Sequence, residues 1–241
     1  MRQGEPKSEA RGNGYTIERA LLLVFMGMVL RLFGFSFERT HTSPRGSTFF
    51  EAERPPKPSE RKIQGDSMTD LRYPIGKFKY EGPPTEDQKQ KYLGDIERAP
   101  AHLRAAIKGL SDQQLDTPYR PEGWTVRQVV HHVPDSHLNA YVRFKLALTE
   151  DEPTIKPYAE DRWAQLADTR TTPVEVSLTM LDSLHARWAC LLRSLTREQW
   201  KREFRHPEMG VVPLEKNLAL YAWHGRHHVA HINSLRERNG W

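Results

Sequence analysis

The sequence predicts an all-α fold, a four-helix bundle with crossover connections and short extra helices. Three observations predict it. Helix-start signatures recur from residue 85 onward, the apolar residues between them repeat at helical spacing, and no strongly alternating run competes. Lys77–Tyr80 alone suits an extended segment.

The first helix opens at Thr85-x-x-Gln88, where the threonine caps the helix and the glutamine reaches back to the cap backbone. Its stripe is Tyr92, Leu93, Ile96, Leu103, Ile107 and Leu110, with a kink expected at Pro100. Ser111-x-x-Gln114 marks a short helix in the next connection. The second long helix opens at Thr125-x-x-Gln128 and carries Val126, Val129, Val130, Val133, Leu138, Tyr141 and Phe144. Thr172-Pro173-x-Glu175 opens the third, with proline in the first helical position and Met180, Leu181, Leu184, Trp188, Leu191 and Leu195 as its stripe. Thr196-x-x-Gln199 marks another short helix. The fourth long helix, with Leu214, Leu218, Tyr221, Ala222, Val229, Ile232 and Leu235, closes at Gly240. The connections near 111–124 and 150–171 are too long for tight turns, hence the crossovers.

This body occupies residues 68–241. Residues 1–67 differ: an apolar segment at 20–37 is interrupted by Arg31, and the polar stretch 38–67, with Pro55-Pro56-Lys57-Pro58, reads as a disordered linker. The apolar run is short for a membrane span and carries a charge inside it. The extension therefore reads first as sequence upstream of a start near Met68, giving a cytoplasmic protein. The alternatives are a membrane anchor through 20–37 and a signal peptide lacking a clean cleavage site.

The net charge of +5 comes from 36 basic residues dispersed among 31 acidic ones, so no nucleic-acid groove is expected. A single cysteine, Cys190, excludes an internal disulfide and a cysteine-based zinc module. Its place in the third stripe suggests a small core residue.

Seven of the eleven histidines fall in two clusters, His131-His132 with His137, and His224, His227, His228 and His231. Residues four apart share a helix face, so two imidazoles of the second cluster can reach one ion. A third ligand from the first cluster gives the usual count for a catalytic metal with an open position. Spacing leaves the pair in the second cluster undecided between 224/228, 227/231 and 228/231.

Tyr73-Pro-Ile-Gly76, Gln114-Leu-Asp-Thr-Pro-Tyr-Arg120, Gly123-Trp-Thr-Val-Arg-Gln-Val-Val-His-His132, Asp135-Ser-His137, Arg143-Phe-Lys-Leu146 and Trp223 through Ile232 resemble the YfiT subgroup of the DinB superfamily, from about residue 71 to the C-terminus. The resemblance implies a homodimeric four-helix bundle that binds one divalent ion, zinc or nickel, through three histidines. It implies His132, after the Trp-Thr helix opening, and the pair His224 and His228. His131, His227 and His231, with His137, are then neighbours that can orient the ligands. Asp135, one turn beyond His132, is the candidate catalytic carboxylate, and Arg127 and Arg143 are candidates for holding an anionic substrate. Trp124 is expected to anchor the helix entry. Pro134 departs from the pattern and is expected to kink the second helix beside the ligand.

Three neutral imidazoles leave an ion able to activate water, which gives a hydrolase, or a small thiol, which gives an S-transferase. The resemblance implies both, through metal-dependent hydrolases and bacillithiol S-transferases. Transfer of a low-molecular-weight thiol to small electrophiles is the preferred expectation. A closed four-ligand site in a non-catalytic dimer module is the remaining alternative.

Overall fold

Four of the five expected capping boxes form, at Thr85, Ser111, Thr125 and Thr196, each with the reciprocal glutamine contact. The computed structural model describes residues 70–241, so the segment 20–37, the linker and Met68 lie outside the described residues. The elements are α1 (Glu86–Ile107), α2 (Asp112–Leu115), α3 (Val126–Thr149), α4 (Glu160–Trp163), α5 (Ala167–Thr171), α6 (Val174–Arg193), α7 (Arg197–Trp200), β1 (Glu203–His206), β2 (Gly210–Pro213) and α8 (Leu214–Asn239). The fifth box does not form. Helix α6 starts one residue later than expected, with Pro173 at the cap and Thr172 outside it. Glu175 instead receives both its bonds from Arg104 of α1, at 2.7 Å each.

The long helices α1, α3, α6 and α8 make the bundle. Helix α1 packs on α6 and α8, and α3 also packs on α6 and α8. Around the bundle the order is therefore α1, α6, α3, α8. Consecutive helices α1 and α3 stand diagonally opposed, as do α6 and α8. Segments 108–125 and 194–213 make the two diagonal crossings. The second includes the antiparallel hairpin β1–β2, in which Phe204 pairs with Val212 and Gly210 takes the left-handed turn position at φ +69°. Four-residue strands are too short to show the alternation by which a strand is recognised.

The stripes are largely buried, with three exceptions. Leu138 and Met180 are exposed. At that level of α3 the inward direction belongs to Ser136 and His137, and Leu138 lies about 100° further round. Cys190 is exposed on α6, contrary to the core position expected of it. Helices α1 and α3 continue through Pro100 and Pro134. No described helix is long and apolar enough to cross a membrane.

The core divides into two apolar clusters. One gathers Phe144, Trp188, Trp200, Phe204 and Leu218, and the other Val126, Val129, Val130, Leu181 and Ile232. On α3, α6 and α8 the stretches between these clusters carry histidines: His132 and His137, His185, and His224, His227 and His228. The middle of the bundle is thus a buried imidazole layer. Gly225 lets α8 approach it, because a Cβ there would lie 3.3 Å from Ala99 Cβ and 3.5 Å from His137 Cε1.

Candidate metal centre

Thr125 caps α3, and two turns later the helix delivers His132 toward α8. Helix α8 carries His224 and His228 one turn apart on the facing side. The Nε2 atoms of His132 and His228 lie 3.3 and 3.2 Å from His224 Nε2. All three rings offer one ligand atom within 4.8 Å of the others. Zinc–imidazole bonds of 2.0–2.1 Å in a tetrahedron separate the nitrogens by about 3.3 Å, so the spacing fits a small divalent ion. Ligation requires neutral rings, and burial provides them. It pushes His132 down to about 4 and His224 and His228 well below the usual imidazole range, the last two also through neighbouring imidazoles.

The remaining histidines divide differently from expectation. His131 faces α6, with Nδ1 2.7 Å from Ser177 Oγ. His227 stacks on Trp223 at 4.3 Å, and His231 stacks on Tyr119 at 4.1 Å and donates from Nε2 to the carbonyl of Arg72 at 3.2 Å. Among the described residues none of these three hydrogen-bonds a ring of the triad. His137 does: its Nε2 lies 3.1 Å from His224 Nδ1, while its Nδ1 lies 2.8 Å from His185 Nε2. His185 was invisible as a site residue in the sequence because it belongs to neither cluster.

A cavity of about 510 Å³ opens over the triad. Its wall combines Tyr73, Tyr119, Trp124 and Trp223 with the cations Arg72 and Arg120 and the carboxylates Glu122, Glu160 and Asp161. Trp124 does more than anchor the helix entry, since its ring packs edge-on against His132 at 4.6 Å. A second cavity, about 400 Å³, shares His224 and Glu160 with the first and adds Arg143, Tyr158 and His206. A larger hollow of about 930 Å³ near α7 contains the Lys89–Glu215 ion pair and none of the triad.

Asp135 lines neither cavity at the triad. Burial, helped by Asp168, pushes its carboxyl up to about 6. The carboxylate that does border both cavities is Glu160, also raised by burial. No sequence signal marked it, because it opens a one-turn helix in a long connection. Arg127 is held by Asp112 and Asp116 at 2.9 and 2.7 Å, which occupies it structurally. Arg143 lines the second cavity.

Comparison with known proteins agrees with this architecture. The DinB superfamily profile matches residues 95–232. A Bacillus cereus (strain B4264) protein named "putative metal-dependent hydrolase" is 60% identical over 174 residues, covering 72% of this chain and 100% of that protein. A Bacillus mycoides (strain KBAB4) protein of the same description is also 60% identical with the same coverage. The solved structure of YfiT from Bacillus subtilis, described as "a probable metal-dependent hydrolase with an unusual four-helix bundle topology", is 50% identical. It superposes with a TM-score of 0.69 over 71% of this chain and 98% of that one. The chain belongs to the YfiT subgroup of the DinB superfamily.

Proposed function

We propose that this protein is a metal-dependent enzyme in which His132, His224 and His228 hold one divalent ion, zinc or nickel, at the floor of an open cavity. The observation that carries the proposal is the convergence of three neutral Nε2 atoms at metal-ligand spacing. A bound ion there supplies Lewis-acid activation, lowering the pKa of a water or thiol in its open position. The surrounding residues supply the rest. Tyr73, Tyr119, Trp124 and Trp223 line the cavity over the triad, Arg120 suits an anionic group there while Arg72 is paired with Asp70 at 2.8 Å, and Glu160 can take up or return a proton.

S-transfer from a low-molecular-weight, bacillithiol-like thiol to an electrophile is the preferred reaction. Its support is the pair of cavities that share His224 and Glu160, since joining two organic substrates needs two binding volumes while hydrolysis needs one and a water. Hydrolysis is the second reading, and the names of the relatives favour it. The closed structural site is less well supported. His227 and His231 are engaged with Trp223 and Tyr119, and the group of potential donors among the described residues numbers three.

The test uses the full chain, stripped of metal and reloaded with zinc. Thiol conjugation to an aromatic halide and cleavage of an aryl ester are followed with and without chelator. One zinc per chain is expected, lost on His132→Ala, His224→Ala or His228→Ala and retained on His131→Ala. Chelator-sensitive, thiol-dependent conjugation supports transfer. Ester cleavage without any thiol product overturns that reading in favour of hydrolysis. Full zinc retention by His228→Ala overturns the ligand set.

A further inference from the structure

A proline inside α1 has a consequence in the imidazole layer. Pro100 has no N–H, so the carbonyl of Ile96, four residues earlier, loses its helical partner. Ile96 is fully buried, and a buried carbonyl requires a donor. His185 of α6 supplies it, with Nδ1 2.6 Å from the Ile96 oxygen. A carbonyl only accepts, so His185 carries its proton on Nδ1, and in a neutral ring Nε2 then holds a lone pair.

The remaining protons follow in order. His137 Nδ1, 2.8 Å from that lone pair, donates to it, which leaves His137 Nε2 as an acceptor. His224 Nδ1, 3.1 Å from His137 Nε2, donates in turn. His224 Nε2 is thereby left unprotonated, and this is the atom that faces His132 and His228 at 3.3 and 3.2 Å. Water does not offer an alternative order, because His137 and His185 are 0% and 2% exposed. Their rings lie edge to edge, 23° from coplanar with centroids 4.9 Å apart, and the edge of Trp188 packs against both.

We propose that Pro100, His185 and His137 are positioning residues forming a relay that fixes His224 in its Nδ1–H tautomer, so that the Nε2 lone pair faces the ion site before an ion arrives. The relay deepens the metal-site reading and rests on it for its purpose, yet its direction is measurable in metal-free protein. Partners of this kind, which donate to or accept from the second ring nitrogen, set ligand orientation in metal sites generally.

The first measurement is the long-range ¹H–¹⁵N correlation spectrum of histidine-labelled, zinc-free full chain, assigned by single substitution. His224 is expected with its proton on Nδ1, and a proton on Nε2 overturns the relay whether or not the protein binds metal. Correct tautomers with no zinc uptake would overturn the metal reading and leave the relay standing. The second measurement is zinc affinity by chelator competition. His185→Phe keeps an aromatic ring at this position but removes both hydrogen bonds, freeing His137 to reverse its tautomer and force the proton of His224 onto Nε2. It should weaken zinc binding roughly 10- to 100-fold. His185→Gln can still donate to Ile96 and accept from His137, and should restore most of the affinity. Wild-type affinity in His185→Phe overturns the proposal. If that variant does not fold, the tautomer of His224 in the wild-type protein decides.

Discussion

Acidification should destabilise the metal-free protein chiefly through its buried histidines. His132, His185, His227 and His231 are all buried, and burial pushes each from the ordinary 6.5 to about 4. Their folded-state pKa values are depressed, so the unfolded chain binds protons that the folded chain refuses between pH 4 and 6.5. Stability is therefore level above pH 6.5 and falls as pH drops through the window. Asp135 opposes this, since its folded pKa is raised from 3.8 to about 6 and the folded state keeps a proton that the unfolded state releases, and Glu160, also raised by burial, opposes it in the same way. Four histidines less Asp135 leave about three protons, or roughly 4 kcal/mol per pH unit near pH 5. His137, His224 and His228 act in the same direction as the other imidazoles. Over the 1.5 pH units from 6.5 to 5 the loss is about 6 kcal/mol, enough to unfold a domain at the lower end of the usual 5–15 kcal/mol range. Urea titrations followed by circular dichroism, at a series of pH values with chelator present, measure the slope. Stability that stays level through the window would refute the reasoning, because it would mean that the folded imidazoles protonate as freely as the unfolded ones.

Two further predictions concern the frame of the site. Phe144 is fully buried, edge-on to Trp188 at 5.7 Å and to Trp200 at 6.2 Å, in the apolar cluster away from the triad. Phe144→Ala should cost about 3–5 kcal/mol in urea unfolding while zinc stoichiometry is kept. Thr125→Ala removes the cap of the helix that presents His132 and should cost about 1 kcal/mol, with Thr125→Ser restoring most of it in the same assay.

The long helices were legible because their signals are local. A capping threonine and its glutamine lie three residues apart, and a stripe repeats within one helix. The diagonal topology was not legible, since the order of helices around the bundle depends on which faces bury against which. The hairpin Glu203–Pro213 escaped for a different reason, as its strands are shorter than the pattern that would reveal them.

The histidines show the same divide at higher resolution. Spacing leaves 224/228 and 227/231 equivalent, and only the resemblance separated them. In the structure the rotation of α8 about its axis separates them. Leu218, Tyr221, Ala222 and Gly225 face the core, and His224 and His228 meet His132 of α3, while His227 and His231, also buried, pack on Trp223 and Tyr119. That rotation is a property of packing and not of the four-residue interval. Conversely, His137 and His185 are 48 residues apart and touch at 2.8 Å, so no search for clusters along the chain would join them. The nearest thing to a sequence signal is Pro100. A proline within a strongly apolar helical stripe frees one carbonyl, and when that carbonyl is buried some other element of the chain must donate to it. Here the donor is a histidine, and because each neutral imidazole that accepts a proton on one side donates one on the other, a backbone defect in α1 reaches the triad through two rings.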